Sequence, residues 1–191
     1  MSYVSRAGEK LEHALNYFGI SPQGLICADF GSNVGGFVDC LLQKGAEKVY
    51  AVETGYGVLD WKLRNNKRVV VMERTNAMHV KLPEPVDLVT IDVAWTKLDK
   101  IIPNALDNLK TGGRIIALLK PHYEADPRLL RKGKLPEEHI DQVIENVKSK
   151  LSNSGVQVSD ITPSPIEGSN KGNKEYLLLI TEKVWLKNSI K

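Results

Sequence analysis

The 191-residue chain is 42% hydrophobic and 26% charged with a formal net charge of +3, the composition of one globular domain with enough apolar material for a full core. No apolar run approaches the roughly 18 residues of a membrane span, and the N-terminus lacks a signal-peptide core, which argues against a membrane or secreted protein. The two cysteines stand outside any C-x-x-C pair and the four histidines are scattered, so no metal site is expected, both thiols should be buried and reduced, and the protein should be cytoplasmic.

Residues 7–19 carry Ala7, Leu11, Ala14, Leu15 and Phe18 on one stripe, an amphipathic helix with Ser5 available as its cap. The apolar run Leu25-Ile26-Cys27-Ala28 opens a strand at 25–30. It leads into Asp29-Phe30-Gly31-Ser32-Asn33-Val34-Gly35-Gly36-Phe37 and then into Val38, Leu41 and Leu42 at helical spacing. A glycine-rich turn between strand and helix lets the backbone approach a ligand, because no Cβ intervenes. The dinucleotide fingerprint G-x-G-x-x-G fails here, since Asn33 stands where its second glycine belongs. The phosphate loop also fails, since Phe37 and Val38 follow Gly36 in place of lysine and a hydroxyl residue. A loop led by Asp29 and lacking that lysine suits a ligand with a cationic or amino-bearing end, and S-adenosylmethionine fits.

Further strands are predicted at 48–53, 68–73, 86–92 and 114–119, each an apolar run rich in Val, Ile or Leu as expected for strands covered on both faces. A helix at 97–109 lies between the last two and is expected to stop at Lys110-Thr111-Gly112-Gly113. A helix at 137–152 carries Ile140, Val143, Ile144, Val147 and Leu151. Strands near 156–161 and 175–182 follow with no helix between them, so they should form a hairpin and place one antiparallel strand in the sheet. The prediction is a single domain over 1–191, with a helix in 1–20 and a doubly wound, Rossmann-like α/β core of seven mostly parallel strands in 21–185. Its ligand site should lie beyond the carboxyl ends of the strands, where strand order reverses.

Three strands end on charge. Glu53 closes the run at 48–53, the usual place for an acid that holds ribose hydroxyls. Asp92 closes the run at 86–92, and Lys120 follows the run at 114–119. Each alone can be a cap or a solvated side chain; together with the glycine loop they resemble an active site.

The stretches Tyr3-Val4-Ser5-Arg6-Ala7-Gly8-Glu9-Lys10-Leu11, Asp29 to Asp39, Val52-Glu53-Thr54-Gly55-Tyr56-Gly57 and Glu73-Arg74-Thr75-Asn76-Ala77 carry a specific resemblance. So do Ile91-Asp92-Val93, Leu119-Lys120-Pro121-His122-Tyr123-Glu124, and the segment from Ser164-Pro165-Ile166 to Gly172-Asn173-Lys174-Glu175-Tyr176. Over nearly the whole chain the sequence resembles the TlyA (haemolysin A) family of FtsJ-like ribosomal RNA ribose 2′-O-methyltransferases. The resemblance implies S-adenosylmethionine as cofactor, ribosomal RNA or a ribosomal subunit as partner, and a catalytic tetrad of Lys10, Asp92, Lys120 and Glu175. It also implies cofactor contacts from Asp29, Gly31, Ser32, Gly35, Gly36, Phe37, Glu53, Asn76 and Asp92.

A ribose hydroxyl must lose its proton as it attacks the methyl carbon, and Lys120 is the candidate base. Arg6, Lys10, His13 and Tyr17 share a helical stripe, which should turn Lys10 to the crevice with Arg6 beside it as a phosphate contact. Arg128, Arg131, Lys132 and Lys134 form a basic loop between Pro127 and Pro136, a natural contact for an RNA backbone. The alternative is a non-catalytic RNA-binding or haemolysin-like protein on the same fold. An intact tetrad disfavours the first, and the lack of an amphipathic or apolar membrane segment the second. The sequence departs from the family at Val34, where threonine is usual, and at Val93-Ala94-Trp95-Thr96, where a serine and a phenylalanine are usual. Residues 125–136 differ from a glycine-rich insert, and the family's N-terminal RNA-binding module is expected to be missing.

Overall fold

The computed structural model describes residues 2–168 and 172–183. Its strands are β1 (Ile26–Phe30), β2 (Lys48–Val52), β3 (Val69–Met72), β4 (Val86–Ile91), β5 (Leu109–Leu119), β6 (Val156–Pro163) and β7 (Tyr176–Glu182). Its α-helices are α1 (Ala7–Tyr17), α2 (Gly36–Gln43), α3 (Trp61–Arg64), α4 (Leu98–Asp107), α5 (Pro121–Glu124) and α6 (Ile140–Asn153), with 3₁₀ turns at Pro127–Leu129 and Glu137–His139. The strands form one sheet in the order β3-β2-β1-β4-β5-β7-β6. β7 pairs antiparallel with both β5 and β6, while the pairs among β1 to β5 are parallel. This is the predicted doubly wound α/β sheet with one reversed strand.

Alternation along each strand builds the two cores. In β5, Ile115, Ala117 and Leu119 join the layer under α4 and α6, while Ile116 and Leu118 join the layer under α1 and α2. The helical stripes answer them: Leu11, Ala14 and Leu15 of α1 and Val38, Leu41 and Leu42 of α2 on one side, Val143, Ile144 and Val147 of α6 on the other. Cys27 and Cys40 are buried free thiols, and burial pushes each up to about 12, so they act as small apolar side chains.

Local expectations failed at three places. Ser5 does not cap α1: the capping position falls on Arg6 with no side-chain bond, and Ser5 instead lends its carbonyl to the Gly8 N–H at 3.1 Å. The helix breaks earlier than expected, at Tyr17, with Gly19 in the left-handed region at φ 64. Lys110 to Gly113 do not stop a helix, because α4 closes at Asn108 and these residues already belong to β5. Val86 pairs with Leu109 and Leu88 with Arg114, so the four residues bulge out of the ladder. The expected core boundary at 185, and the part of the family-like segment at 169–171, lie outside the described residues.

Candidate active site

β1 and β4 are neighbours in the sheet although β2 and β3 lie between them in sequence, and this switch opens a crevice at their carboxyl ends. Two adjoining cavities of about 370 and 390 Å³ fill it and share Gly31, Asn33, Asp92 and Ala94 as lining. A larger cavity of about 780 Å³ lies apart, between residues 124–129 and α6, and holds none of the tetrad residues.

The loop from β1 to α2 is held in an unusual shape by Gly31 (φ 86), Asn33 (φ 47) and Gly35 (φ 102). The Gly31 and Ser32 N–H groups both donate to the Val52 carbonyl, at 2.9 and 3.1 Å. A Cβ on Gly31 would fall 2.5 Å from the Asp92 carbonyl oxygen, so glycine there lets the β1 and β4 exits touch. Glu53 supports the same loop: its Oε2 accepts from the Asn33 N–H at 2.9 Å and its Oε1 from the Gly55 N–H at 2.8 Å. Asn76 lines the 390 Å³ cavity with its Oδ1 accepting the Met78 N–H at 2.9 Å. Apolar side chains of Val52, Val58, Ala77, Met78, Val93 and Ile101 line that cavity too, with Trp95, 82% exposed, at its rim.

Asp29 lies buried at the base of the other cavity, and its Oδ1 accepts from Thr90 Oγ1 at 2.7 Å. Burial, assisted by the nearby Asp92 and Glu53 carboxylates and opposed by the Thr90 bond, raises its carboxyl to about 8. The Ser32 Oγ is buried in the same wall with no hydrogen-bond partner. Gly36 borders this cavity, yet a Cβ there would run into Ser5 and Ala7, so its smallness also serves the approach of α1 to α2. The Phe37 side chain is a core residue, 2% exposed, packed with Leu11, Leu41 and their neighbours.

Two ion pairs stand across the 370 Å³ cavity. Lys120 Nζ donates to Asp92 Oδ1 at 2.6 Å and to the Val93 carbonyl at 3.0 Å. Lys10 Nζ donates to Glu175 Oε2 at 2.5 Å, with Lys10 only 7% and Glu175 only 5% exposed. The reversed strand brings Glu175 here. Antiparallel pairing sets Tyr176, the first residue of β7, beside Leu119, the last of β5, so the residue before β7 arrives next to Lys120. All four side chains, with Arg6, line this one cavity.

Of the expected RNA-contacting residues outside the cavity, Arg128 lies on the 3₁₀ turn Pro127–Leu129 and borders the separate 780 Å³ cavity, while Arg131, Lys132 and Lys134 sit on a short turn in which Arg131 and Lys134 form an isolated bridge. Arg128 is engaged by Asp126, with contacts of 2.5 to 3.0 Å, and Arg131 lies 3.6 Å from Glu138. Sequence reasoning overlooked Thr90 and Glu124. Thr90 was visible as a lone hydroxyl inside an apolar strand. Glu124 accepts the Leu98 N–H at 2.8 Å, tying the segment after Asp92 to the segment after Lys120. Among the described residues no three His, Cys, Asp or Glu side chains gather as metal ligands, and no helix is long and apolar enough to cross a membrane.

A doubly wound sheet with a reversed β7 and a glycine-loop crevice defines the methyltransferase class, and the comparisons agree. The model of the FtsJ-like methyltransferase family matches residues 3–181, and the chain belongs to that family. It is 40% identical over 183 residues to Hemolysin A of Brachyspira hyodysenteriae, covering 93% of this chain and 76% of that protein. It is 36% identical over 184 residues to the 16S/23S rRNA (cytidine-2′-O)-methyltransferase TlyA of Mycobacterium tuberculosis, covering 93% of this chain and 68% of the relative. A solved structure described as a hemolysin from Streptococcus thermophilus superposes with a TM-score of 0.92 at 36% identity, covering 96% of this chain and 68% of that one.

Proposed function

We propose that this enzyme transfers a methyl group from S-adenosylmethionine to a ribose 2′-hydroxyl of ribosomal RNA. The observation that carries the proposal is the pair of ion pairs, Lys120–Asp92 and Lys10–Glu175, lining one cavity that opens onto the glycine loop. The residues present fit the cofactor. The unpartnered Ser32 Oγ and the acid of Asp29 suit a polar, cationic amino-acid end, and Asp92 stands where this cavity meets the next. Gly31 and Gly36 border that cavity, whereas Gly35 lines neither cavity and serves the loop through its positive φ and its approach to Leu59 and Leu63. Glu53 and Asn76 suit the ribose, and the apolar lining of the 390 Å³ cavity suits a flat base. Phe37 borders the 370 Å³ cavity at the start of α2 while most of its side chain packs in the core. When bound, the cofactor supplies an electrophilic methyl group on sulfur.

The protein's own contribution is alignment and proton handling. Asp92 and the Val93 carbonyl occupy two directions at Lys120 Nζ, leaving one tetrahedral position for the substrate hydroxyl; in the neutral amine that position is a lone pair able to take the proton. Glu175 holds Lys10 across the cavity, so a second cation faces the oxygen as its negative charge develops. Arg6, at the mouth, and the segment carrying Arg128, Arg131, Lys132 and Lys134 contact phosphates and set the register of the RNA. The relative TlyA of Mycobacterium tuberculosis, named for cytidine 2′-O-methylation, supports ribose as the acceptor, and a ribosomal RNA substrate implies a cytoplasmic place of work. Incubation with methyl-labelled cofactor and purified ribosomal subunits, followed by nucleoside analysis, tests the proposal. Label on a ribose 2′-oxygen is expected; label on a base, or none, would refute it.

A further inference from the structure

α1 is attached to the rest of the molecule at both ends. Near its start the Val4 N–H donates to Asp39 Oδ2 at 2.9 Å, and Gly36 of α2 lies against Ser5 and Ala7. Further along, His13 Nε2 lies 3.0 Å from Thr162 Oγ1. Thr162 is 2% exposed, and its Oγ1 also reaches the Pro163 carbonyl at 3.5 Å, the limit of a hydrogen bond, so His13 is its closer partner. It belongs to the same hairpin as Glu175: Thr162 pairs with Leu177, Pro163 with Tyr176, and the Ser164 N–H donates to the Glu175 carbonyl at 2.8 Å. His13 follows Lys10 by one helical turn on the same face. Lys10–Glu175 and His13–Thr162 are therefore two rungs between one helix and one hairpin.

The two rungs differ in stiffness. A lysine side chain carries its ammonium on a flexible four-carbon stem and can follow a carboxylate that moves. An imidazole has two torsions and a fixed reach. Core packing of Leu11, Ala14 and Leu15 seats α1 on α2, and the histidine rung then sets its distance from the hairpin, a gap that the lysine rung only spans. The bond is also tolerant of tautomer, since a threonine hydroxyl either donates or accepts.

We infer that His13 is a positioning residue for methyl transfer: its bond to Thr162 sets the seat of α1 on the β6–β7 hairpin and so holds Lys10 Nζ at Glu175 and at the cavity. The inference rests on the proposed catalytic part of the Lys10–Glu175 pair.

The test compares His13→Ala, His13→Gln, Thr162→Val and the double variant His13→Ala/Thr162→Val. Methyl transfer to ribosomal subunits is measured at saturating cofactor, and cofactor affinity by calorimetry. His13→Ala is expected to lower kcat about 10- to 100-fold, the effect of a displacement of roughly an ångström, with cofactor affinity changed by less than about twofold. Glutamine places its amide nitrogen near the position of Nε2 and should return kcat to within about threefold of the native value. Thr162→Val is expected to reproduce the loss, and adding it to His13→Ala should cost little more, because both remove the His13–Thr162 bond and the other contact of that hydroxyl, to the Pro163 carbonyl, is long at 3.5 Å. Native turnover in His13→Ala, failure of glutamine to restore it, or additive losses in the double variant would each overturn the inference. If His13→Ala does not fold, the glutamine and near-isosteric valine variants decide. Lys10→Ala separates the two levels. Native turnover there defeats the catalytic assignment, whereas an inactive Lys10→Ala beside a fully active His13→Ala defeats only the positioning role.

Discussion

Replacing Lys10 by methionine keeps an unbranched side chain one atom shorter and removes its charge, leaving the Glu175 carboxylate in a site where it is 5% exposed. Its ion-pair partner at 2.5 Å is then gone. Breaking a buried pair from one side typically costs about 3–5 kcal/mol, because the remaining charge has lost its water and its counter-ion. For a domain of this size 1 kcal/mol moves the midpoint by about 2–4 °C, so Lys10→Met should melt about 6–20 °C below the native protein. The double variant Lys10→Met/Glu175→Leu removes both charges and should recover most of the stability, to within about 1–2 kcal/mol of native, since an apolar pair of similar volume replaces a buried ion pair at little cost. Methyl transfer should be lost in both. Thermal denaturation followed by circular dichroism, with transfer assays on the same samples, reads both quantities. A single variant as stable as native, or a double variant no more stable than the single, would refute the account of the pair; transfer in the double variant would refute its catalytic assignment.

Lys120→Ala should reduce methyl transfer by about 10²–10⁴ while leaving cofactor affinity nearly unchanged, because the lysine is assigned to the substrate proton; single-turnover assays with calorimetry check this, and native turnover would contradict it. Asp29, raised to about 8 by burial, binds a proton in the folded protein that the unfolded chain releases above its ordinary value. The stability this confers is present at low pH and is lost as pH rises through about 4 to 8, so the urea midpoint of the native protein should fall relative to Asp29→Asn across that window. A cationic ligand seated beside Asp29 favours its ionised form, so cofactor binding near neutrality should release a proton, read as a dependence of calorimetric enthalpy on the ionisation enthalpy of the buffer. Alanine at Arg131, Lys132 and Lys134 should weaken RNA binding and flatten the plot of log affinity against log salt by roughly 0.7–0.9 per lost phosphate contact. An unaltered slope would place the RNA elsewhere, across Arg6 and α1.

The order of strands and helices, and the loop from Asp29 to Phe37, were legible in the chain because both are local. Strands buried on two faces must read as apolar runs, and Gly31 and Gly35 must be glycine where φ is positive and a neighbouring backbone or side chain closes in. Helix ends were legible only in part. Ser5 had the chemistry of a cap, but close packing of α1 on α2 gives its side chain another neighbour in Gly36, and Arg6 takes the capping place. Lys10 and Glu175 were named through family motifs; nothing in their local surroundings announces a contact between residues 165 positions apart. That contact depends on strand order and on the reversal of β7, which sets the chain before Tyr176 beside the end of β5. Hydrophobic periodicity specifies which face of a strand is buried and is silent on which strand lies next to it. For the same reason Thr90 and Thr162, ordinary hydroxyls within strands, became partners of Asp29 and His13 only once the sheet had assembled.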